Sequence, residues 1–204
     1  MGRPLAGRLV LATHNNGKLA EFRALMAPHG VDVVSVGQLG LPVPEETGTT
    51  FVENARIKAL AALEATGLPS LADDSGLCIE ALGGAPGVYT ADWAGPDRDW
   101  DVAMKKAQDE LLAVGATRPE QRRATFVSVL TLVWPDGHSE TFEGRADGTL
   151  VWPTRGTHGH GYDPMFQPDG SNLTFAEMPE AQKNTLSHRA RSFEKLAAAC
   201  LTRA

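Results

Sequence analysis

The stretch RLVLATHNNGKLAEFRALMAPHGVDVVSV, residues 8–36, decides the architecture. Arg8 to Thr13 is a short apolar run that ends in turn residues, and Lys18 to Ala27 carries Leu19, Phe22, Leu25 and Met26 at helical spacing. Val31 to Val36 is a second β-branched run. Strand, turn, helix and strand in that order make a βαβ unit, the element from which parallel sheets are built. An α/β fold is therefore expected.

Outward from this unit, Thr50-Phe51-Val52-Glu53 has the form of a capping box ahead of an Ala-rich run to Ala65, which predicts a long helix. Leu71-Ala72 leads into Asp73-Asp74-Ser75-Gly76 and then Leu77 to Leu82, read as a strand interrupted by a tight turn. Gly83 to Gly95 is too rich in Gly and Pro for regular structure. Asp99 to Val114 reads as a helix, and Arg123 to Trp134 with Ser139 to Gly144 as a hairpin around Pro135-Asp136-Gly137. Gly156 to Asp163 is a second glycine-rich loop, after which Ser187 caps a last helix through Ala199.

The chain has 204 residues, 42% hydrophobic and 22% charged, with a formal charge of −6. At roughly 150 residues per domain this favours a single domain, residues 1–204, with a subsidiary lobe. Cys78 and Cys200 form no CxxC pair, so a disulfide scaffold and a zinc ribbon are excluded and a reducing cytoplasm is expected. No apolar stretch approaches the roughly 18 residues of a membrane span, and no secretory leader is recognisable at the start. Net acidity argues against nucleic-acid binding. Charge is nevertheless segregated. Leu41 to Glu80 carries seven acids against Arg56 and Lys58, whereas Ala181 to Ala204 carries five bases, Arg203 among them, against Glu194. An acidic stretch for a hard cation and a basic stretch for phosphates would suit a metal-nucleotide substrate; two solvated faces are the plainer alternative.

Thr13-His14-Asn15-Asn16-Gly17-Lys18 joins the first strand to the first helix, where backbone N–H groups and the positive end of the helix dipole receive anions. It is no Walker loop, since GxxxxGK[ST] is absent, and an ordinary βα turn fits equally well. Asp73-Asp74 is electrostatically awkward unless a cation or a proton relieves it, and Mg²⁺ takes one or two carboxylates with phosphate oxygens and water. An Asx turn is the competing reading, as an exposed acidic loop is for Glu45 and Glu46. His158-Gly159-His160 has no further ligand at zinc spacing. Lys183, Ser187, His188 and Arg189 cluster at the entry of the last helix, where cationic donors could meet a phosphate or a carbonyl.

Six segments in order resemble the inosine triphosphate pyrophosphatase family: THNNGK at 13–18, EETGTTFVENA at 45–55, LADDSGL at 71–77, LGGAPGVY at 82–89, GYDPMF at 161–166 and AEMPEAQKNTLSHR at 176–189. Each alone is weak, but their joint order across nearly the whole chain is specific. The resemblance implies an elongated, mixed, twisted sheet with flanking helices, two lobes around a substrate cleft, and a homodimer. It implies hydrolysis of deaminated purine nucleoside triphosphates (ITP, dITP, XTP) to the monophosphate and pyrophosphate with Mg²⁺.

Carried over by similarity, the segment from Thr13 through His14, Asn15, Asn16 and Gly17 to Lys18 holds the phosphates, and Lys58 reaches in from the long helix. Asp74 is the essential acid and metal ligand, Ser75 contacts substrate, and Glu45 is a second metal-associated carboxylate, with Glu46 one position away as the alternative. His160, Gly161, Tyr162 and Asp163, with Lys183, His188 and Arg189, embrace the base and sugar; Lys183 also offsets charge on the departing pyrophosphate. Two residues depart from the family pattern: His14 stands where glycine is usual, and is expected to be a replacement without a role of its own, and His160 stands where Phe is usual. A pyrophosphatase for other modified nucleotides, or a nucleotide-binding module without turnover, are the alternative readings.

Overall fold

The computed structural model describes residues 2–201; Arg203 lies outside them. The expected βαβ unit is present. Strand β1 (Gly7–Leu11) leads through helix α1 (Asn16–Met26) to β2 (Val31–Ser35), and the two strands pair in parallel with Leu9 opposite Val33. Helix α2 (Phe51–Thr66) then returns the chain to β3 (Ser70–Ile79), which pairs in parallel with the other side of β1, Leu11 opposite Leu71. The capping box forms as read: Thr50 Oγ1 accepts the Glu53 N–H at 3.2 Å and a Glu53 carboxylate oxygen accepts the Thr50 N–H at 3.1 Å.

After helix α3 (Trp100–Ala113), capped by Asp99, the hairpin of β4 (Arg123–Val133) and β5 (Ser139–Leu150) follows. Its turn is closed by Trp134 N–H to His138 O, and its open end by Leu150 N–H to Arg122 O. A short β6 (Phe166–Pro168) lies antiparallel to β5, and the chain ends in α4 (Glu180–Leu186) and α5 (His188–Cys200). The strand order β2-β1-β3-β4-β5-β6 is a mixed six-stranded α/β sheet with helices alongside.

One expectation fails. Asp73-Asp74-Ser75-Gly76 is no tight turn but the middle of β3, which runs unbroken from Ser70 to Ile79. Turn propensity for Asp and Gly is weak beside two ion pairs that neutralise both carboxylates in the extended conformation. Strand β5 also runs six residues past Gly144, and α4 precedes the helix that Ser187 caps.

The chain divides into two compact units. One gathers the chain up to Asp74, Val129–Glu143 and the chain from Ser192 onward; the other gathers Ser75–Ser128 and Gly144–Arg191. Each has its own core. In the first, Leu9, Leu11, Phe22, Met26, Leu71 and Leu132 are among the buried side chains; in the second, Leu77, Ile79, Leu111, Phe126, Phe166 and Phe175 are. Among the described residues no helix is long and apolar enough to cross a membrane.

Candidate active site

In the first unit the turn after β1 is built by its own side chains. Asn15 Oδ1 caps α1 by accepting the Gly17 and Lys18 N–H groups at 2.8 and 3.1 Å, while Thr13 Oγ1 accepts the Asn15 N–H at 3.1 Å. The helix-end amides at 17 and 18 thus already hold an acceptor. An anion here would meet the Asn15 amide N–H groups, the Thr13 hydroxyl proton and the Lys18 ammonium, side chains rather than bare backbone.

Lys18 projects from the first turn of α1 to Asp73 Oδ2 at 2.6 Å, and Lys58 projects from α2 to Asp74 Oδ1 at 2.7 Å. Neighbouring strand residues point to opposite faces, so one lysine neutralises each carboxylate from a different helix. Glu46 brings a second carboxylate to within 3.4 Å of the Lys58 ammonium; Glu46 and Glu45 are both exposed. Two acids therefore converge on one cation. The Asp74 carboxyl is pushed up to about 6, chiefly by burial, against the opposing pull of Lys58. Burial works to lower the Lys58 pKa, but Asp74, Glu46 and Asp73 outweigh it and hold the ammonium above its usual value. Among the described residues no group of three or more His, Cys, Asp or Glu is assembled for a metal. The donors at hand are carboxylate oxygens, few in number, which suits a hard ion that completes its shell with water and phosphate.

In the second unit, Asp163 is buried at 3% exposure and Oδ2 accepts both the Lys183 ammonium and, at 2.7 Å, the His160 N–H. A Cβ at Gly159, which has φ +80°, would strike that carboxylate oxygen. The glycine lets the loop close over Asp163. The His160 ring is exposed, held through Nδ1 and the Gly159 carbonyl at 2.7 Å. His188 is buried and stacks on Phe126, centroids 4.8 Å apart and planes at 12°. Arg189 follows it in α5, with Nε buried. Tyr162 is 1% exposed, its ring packs edge-on against Trp100, and its hydroxyl donates to the Thr90 carbonyl at 3.2 Å. The ring and its hydroxyl are thus both engaged within the second unit.

The Ham1 family model matches residues 9–199, nearly the whole chain. The chain belongs to the Ham1 family. A dITP/XTP pyrophosphatase of Bradyrhizobium sp. is 57% identical over 206 residues, covering 98% of this chain and 96% of the relative, and that of Ruegeria pomeroyi is 58% identical over 194 residues, covering 94% of each. Among solved structures, a HAM1 protein from Coxiella burnetii superposes with a TM-score of 0.88 at 37% identity, covering 94% of this chain and 96% of the other. The Staphylococcus aureus Ham1 protein gives 0.85 at 34%, covering 94% and 96%.

Within this Ham1-family chain, His14 makes a contact of its own. It takes no positive φ, and Nε2 donates to the Leu41 carbonyl at 2.7 Å, tying the turn after β1 to the segment after β2. Gly37 allows the approach, since a Cβ there would lie 3.2 Å from His14 Cα. Trp100 reads from the sequence as a packing aromatic, and it packs on Tyr162. The doubled acid flagged Asp73, but nothing in the local pattern of YTADW marks Thr90, because its partners are distant in sequence.

Proposed function

We propose that this Ham1-family protein hydrolyses deaminated purine nucleoside triphosphates, ITP, dITP and XTP, to the nucleoside monophosphate and pyrophosphate. The observation that carries the proposal is the convergence of Asp74 and Glu46 on the Lys58 ammonium, beside the Asp73–Lys18 pair on the same strand. Carboxylates gathered on a lysine ammonium offer matching charges to a polyphosphate and its cation. The relatives named dITP/XTP pyrophosphatase support the substrate class.

Mg²⁺ fits this oxygen-only donor set; held by Asp74 and Glu46, with Glu45 the adjacent carboxylate, it supplies neutralisation of the polyphosphate charge when bound. Thr13, Asn15 and Lys18 bind phosphate oxygens, with His14, Asn16 and Gly17 shaping the turn that presents them. Asp74 is assigned the proton of the water attacking the α-phosphorus. The new bond joins water oxygen to the α-phosphorus. The bond to the bridging oxygen breaks, and pyrophosphate leaves with its electron pair, its charge offset by Lys18 and Lys58. Ser75, His160, Gly161, Asp163, Lys183, His188 and Arg189 are assigned to the nucleoside by resemblance, and Tyr162 to holding their loop. Cytoplasmic action accords with Cys78 and Cys200 forming no disulfide, and a homodimer is proposed from the resemblance.

The test is release of pyrophosphate, distinguished from orthophosphate, from ITP, XTP, dITP, ATP, GTP and UTP with and without Mg²⁺. Pyrophosphate from the deaminated purines, dependent on Mg²⁺ and far weaker from ATP, is the expected result. Orthophosphate alone overturns the cleavage position, and no release from any substrate leaves a binding module.

A further inference from the structure

Leu77 lies two residues beyond Ser75 on β3, and its buried backbone N–H donates to Thr90 Oγ1 at 2.8 Å. The same hydroxyl donates its proton to the Gly87 carbonyl at 2.6 Å. The Thr90 carbonyl in turn accepts the Tyr162 hydroxyl. One buried threonine thus joins three segments of the second unit: the strand that carries Ser75, the 83–95 loop, and the glycine-rich loop of Gly161 and Asp163.

This tie is additional to what strand pairing needs. Ile79 N–H already donates to the Ala85 carbonyl at 3.0 Å, and Gly84 N–H to the Ile79 carbonyl at 2.9 Å, so the end of β3 is held against the 83–95 loop by backbone alone. Thr90 adds a bond nearer Ser75 and, through Tyr162, links it to the other loop. A hydroxyl is required because the position both accepts and donates. Valine has the shape but neither function; serine has both.

We infer that Thr90 is a positioning residue for base recognition, fixing the Ser75 segment of β3 relative to the Tyr162 loop so that both present their groups to the nucleoside in one arrangement. The inference rests on the proposed function, and it assigns selectivity to a residue that touches no substrate.

The experiment compares Thr90→Val, Thr90→Ser, Tyr162→Phe and the Thr90→Val/Tyr162→Phe double variant by kcat and KM on ITP and ATP, with hydrogen exchange at the Leu77 amide. Thr90→Val should lower kcat/KM on ITP by about 10- to 100-fold, the scale of a small misplacement, and lower the ITP-to-ATP ratio, while Thr90→Ser stays close to wild type. Tyr162→Phe should lower the same ratio and speed Leu77 exchange although it does not touch Leu77, and the double variant should be little worse than Thr90→Val. A Thr90→Val enzyme with lowered Tm but an unchanged ITP-to-ATP ratio overturns the inference, as do effects that multiply in the double variant. If Thr90→Val does not fold, an unchanged ratio and unchanged Leu77 exchange in Tyr162→Phe overturn it equally. A wild type that releases pyrophosphate from no triphosphate removes the proposed function and the selectivity role with it; Leu77 exchange responding to Tyr162→Phe would then show that the tie itself holds.

Discussion

The Lys58 ammonium lies 2.7 Å from Asp74 Oδ1, and the carboxylate is nonetheless harder to ionise than one in water because burial outweighs the pair. An acid in that condition is maintained at the expense of stability. Its carboxyl, raised from 3.8 to about 6, destabilises the fold progressively as pH rises through that window and fully above it. Asp74→Asn should reduce turnover by at least about 10²-fold; it also leaves the buried Lys58 ammonium with Glu46 alone, so a Tm at pH 7.5, with chelator present, that equals or exceeds wild type would show that burial of the carboxylate dominates. A lower Tm would show that the ion pair dominates, and turnover near wild type at saturating Mg²⁺ would remove Asp74 from the chemistry.

Lys18 is paired with Asp73, whose side chain is only 3% exposed. Removing the cation leaves a buried charge undercompensated, which costs roughly 2–3 kcal/mol when the pair is partly screened. Lys18→Ala should lose both stability and triphosphate affinity. Pairing it with Asp73→Asn should restore Tm but not KM, and the KM deficit should grow as ionic strength falls. Recovery of both in the double variant would mean that Lys18 serves the fold alone.

His14→Gly removes one hydrogen bond to Leu41 and returns the position to the residue usual in the family. One such bond contributes about 1 kcal/mol, or roughly a fivefold weakening of substrate binding if the turn loosens in proportion. A rise in KM with little change in kcat is expected, and His14→Gln, which can donate to the same carbonyl, should recover part of it. Equal or better activity in the glycine variant would restore the reading of His14 as a passive replacement.

The parts of the chain that were legible in sequence are those whose causes are local. The βαβ unit followed from apolar spacing in residues 8–36, and the α2 N-terminus from Thr50 and Glu53 three positions apart. The middle of β3 was misread because its stabilising partners, Lys18 and Lys58, are 55 and 16 positions away and no turn rule contains them. Asp74 was found as an acid, but that Glu46 rather than Glu45 approaches Lys58 depends on how the loop before α2 is folded. Tyr162 matched a motif, yet only burial shows that its hydroxyl faces Thr90.

Glu53 gives a pH dependence that is independent of catalysis. N–H groups of Thr49 and Thr50 and the Thr49 hydroxyl hold its carboxylate below the usual 4.5, the Thr49 backbone most strongly. A lowered folded-state value means the contribution is complete above the unfolded value and disappears as pH falls through the folded one. Thermal unfolding of wild type and Glu53→Gln should thus differ near pH 7 and converge as the pH is taken down through the lowered folded-state value. A difference that persists unchanged in acid would assign the cap to geometry rather than charge.

Base selectivity is tested at Arg189. Hypoxanthine and xanthine carry a carbonyl acceptor at position 6 where adenine carries an amino donor, and a guanidinium can only donate. A donor aimed at that position leaves adenine facing like groups, and discrimination built on unpaired polar groups can reach about 10⁴-fold, well beyond what shape supplies. Arg189 follows directly on His188, whose ring is fixed against Phe126, so the start of α5 is held rigidly enough for such a reading. Guanine shares the 6-carbonyl, and its rejection has to come from its 2-amino group and other residues. Arg189→Ala should therefore reduce kcat/KM on ITP and XTP much more than on ATP, narrowing the ratio between them. Equal reductions on both would place Arg189 on phosphate or in the fold, and the reading of position 6 would pass to another donor of the same unit, with the His188 backbone the first to examine.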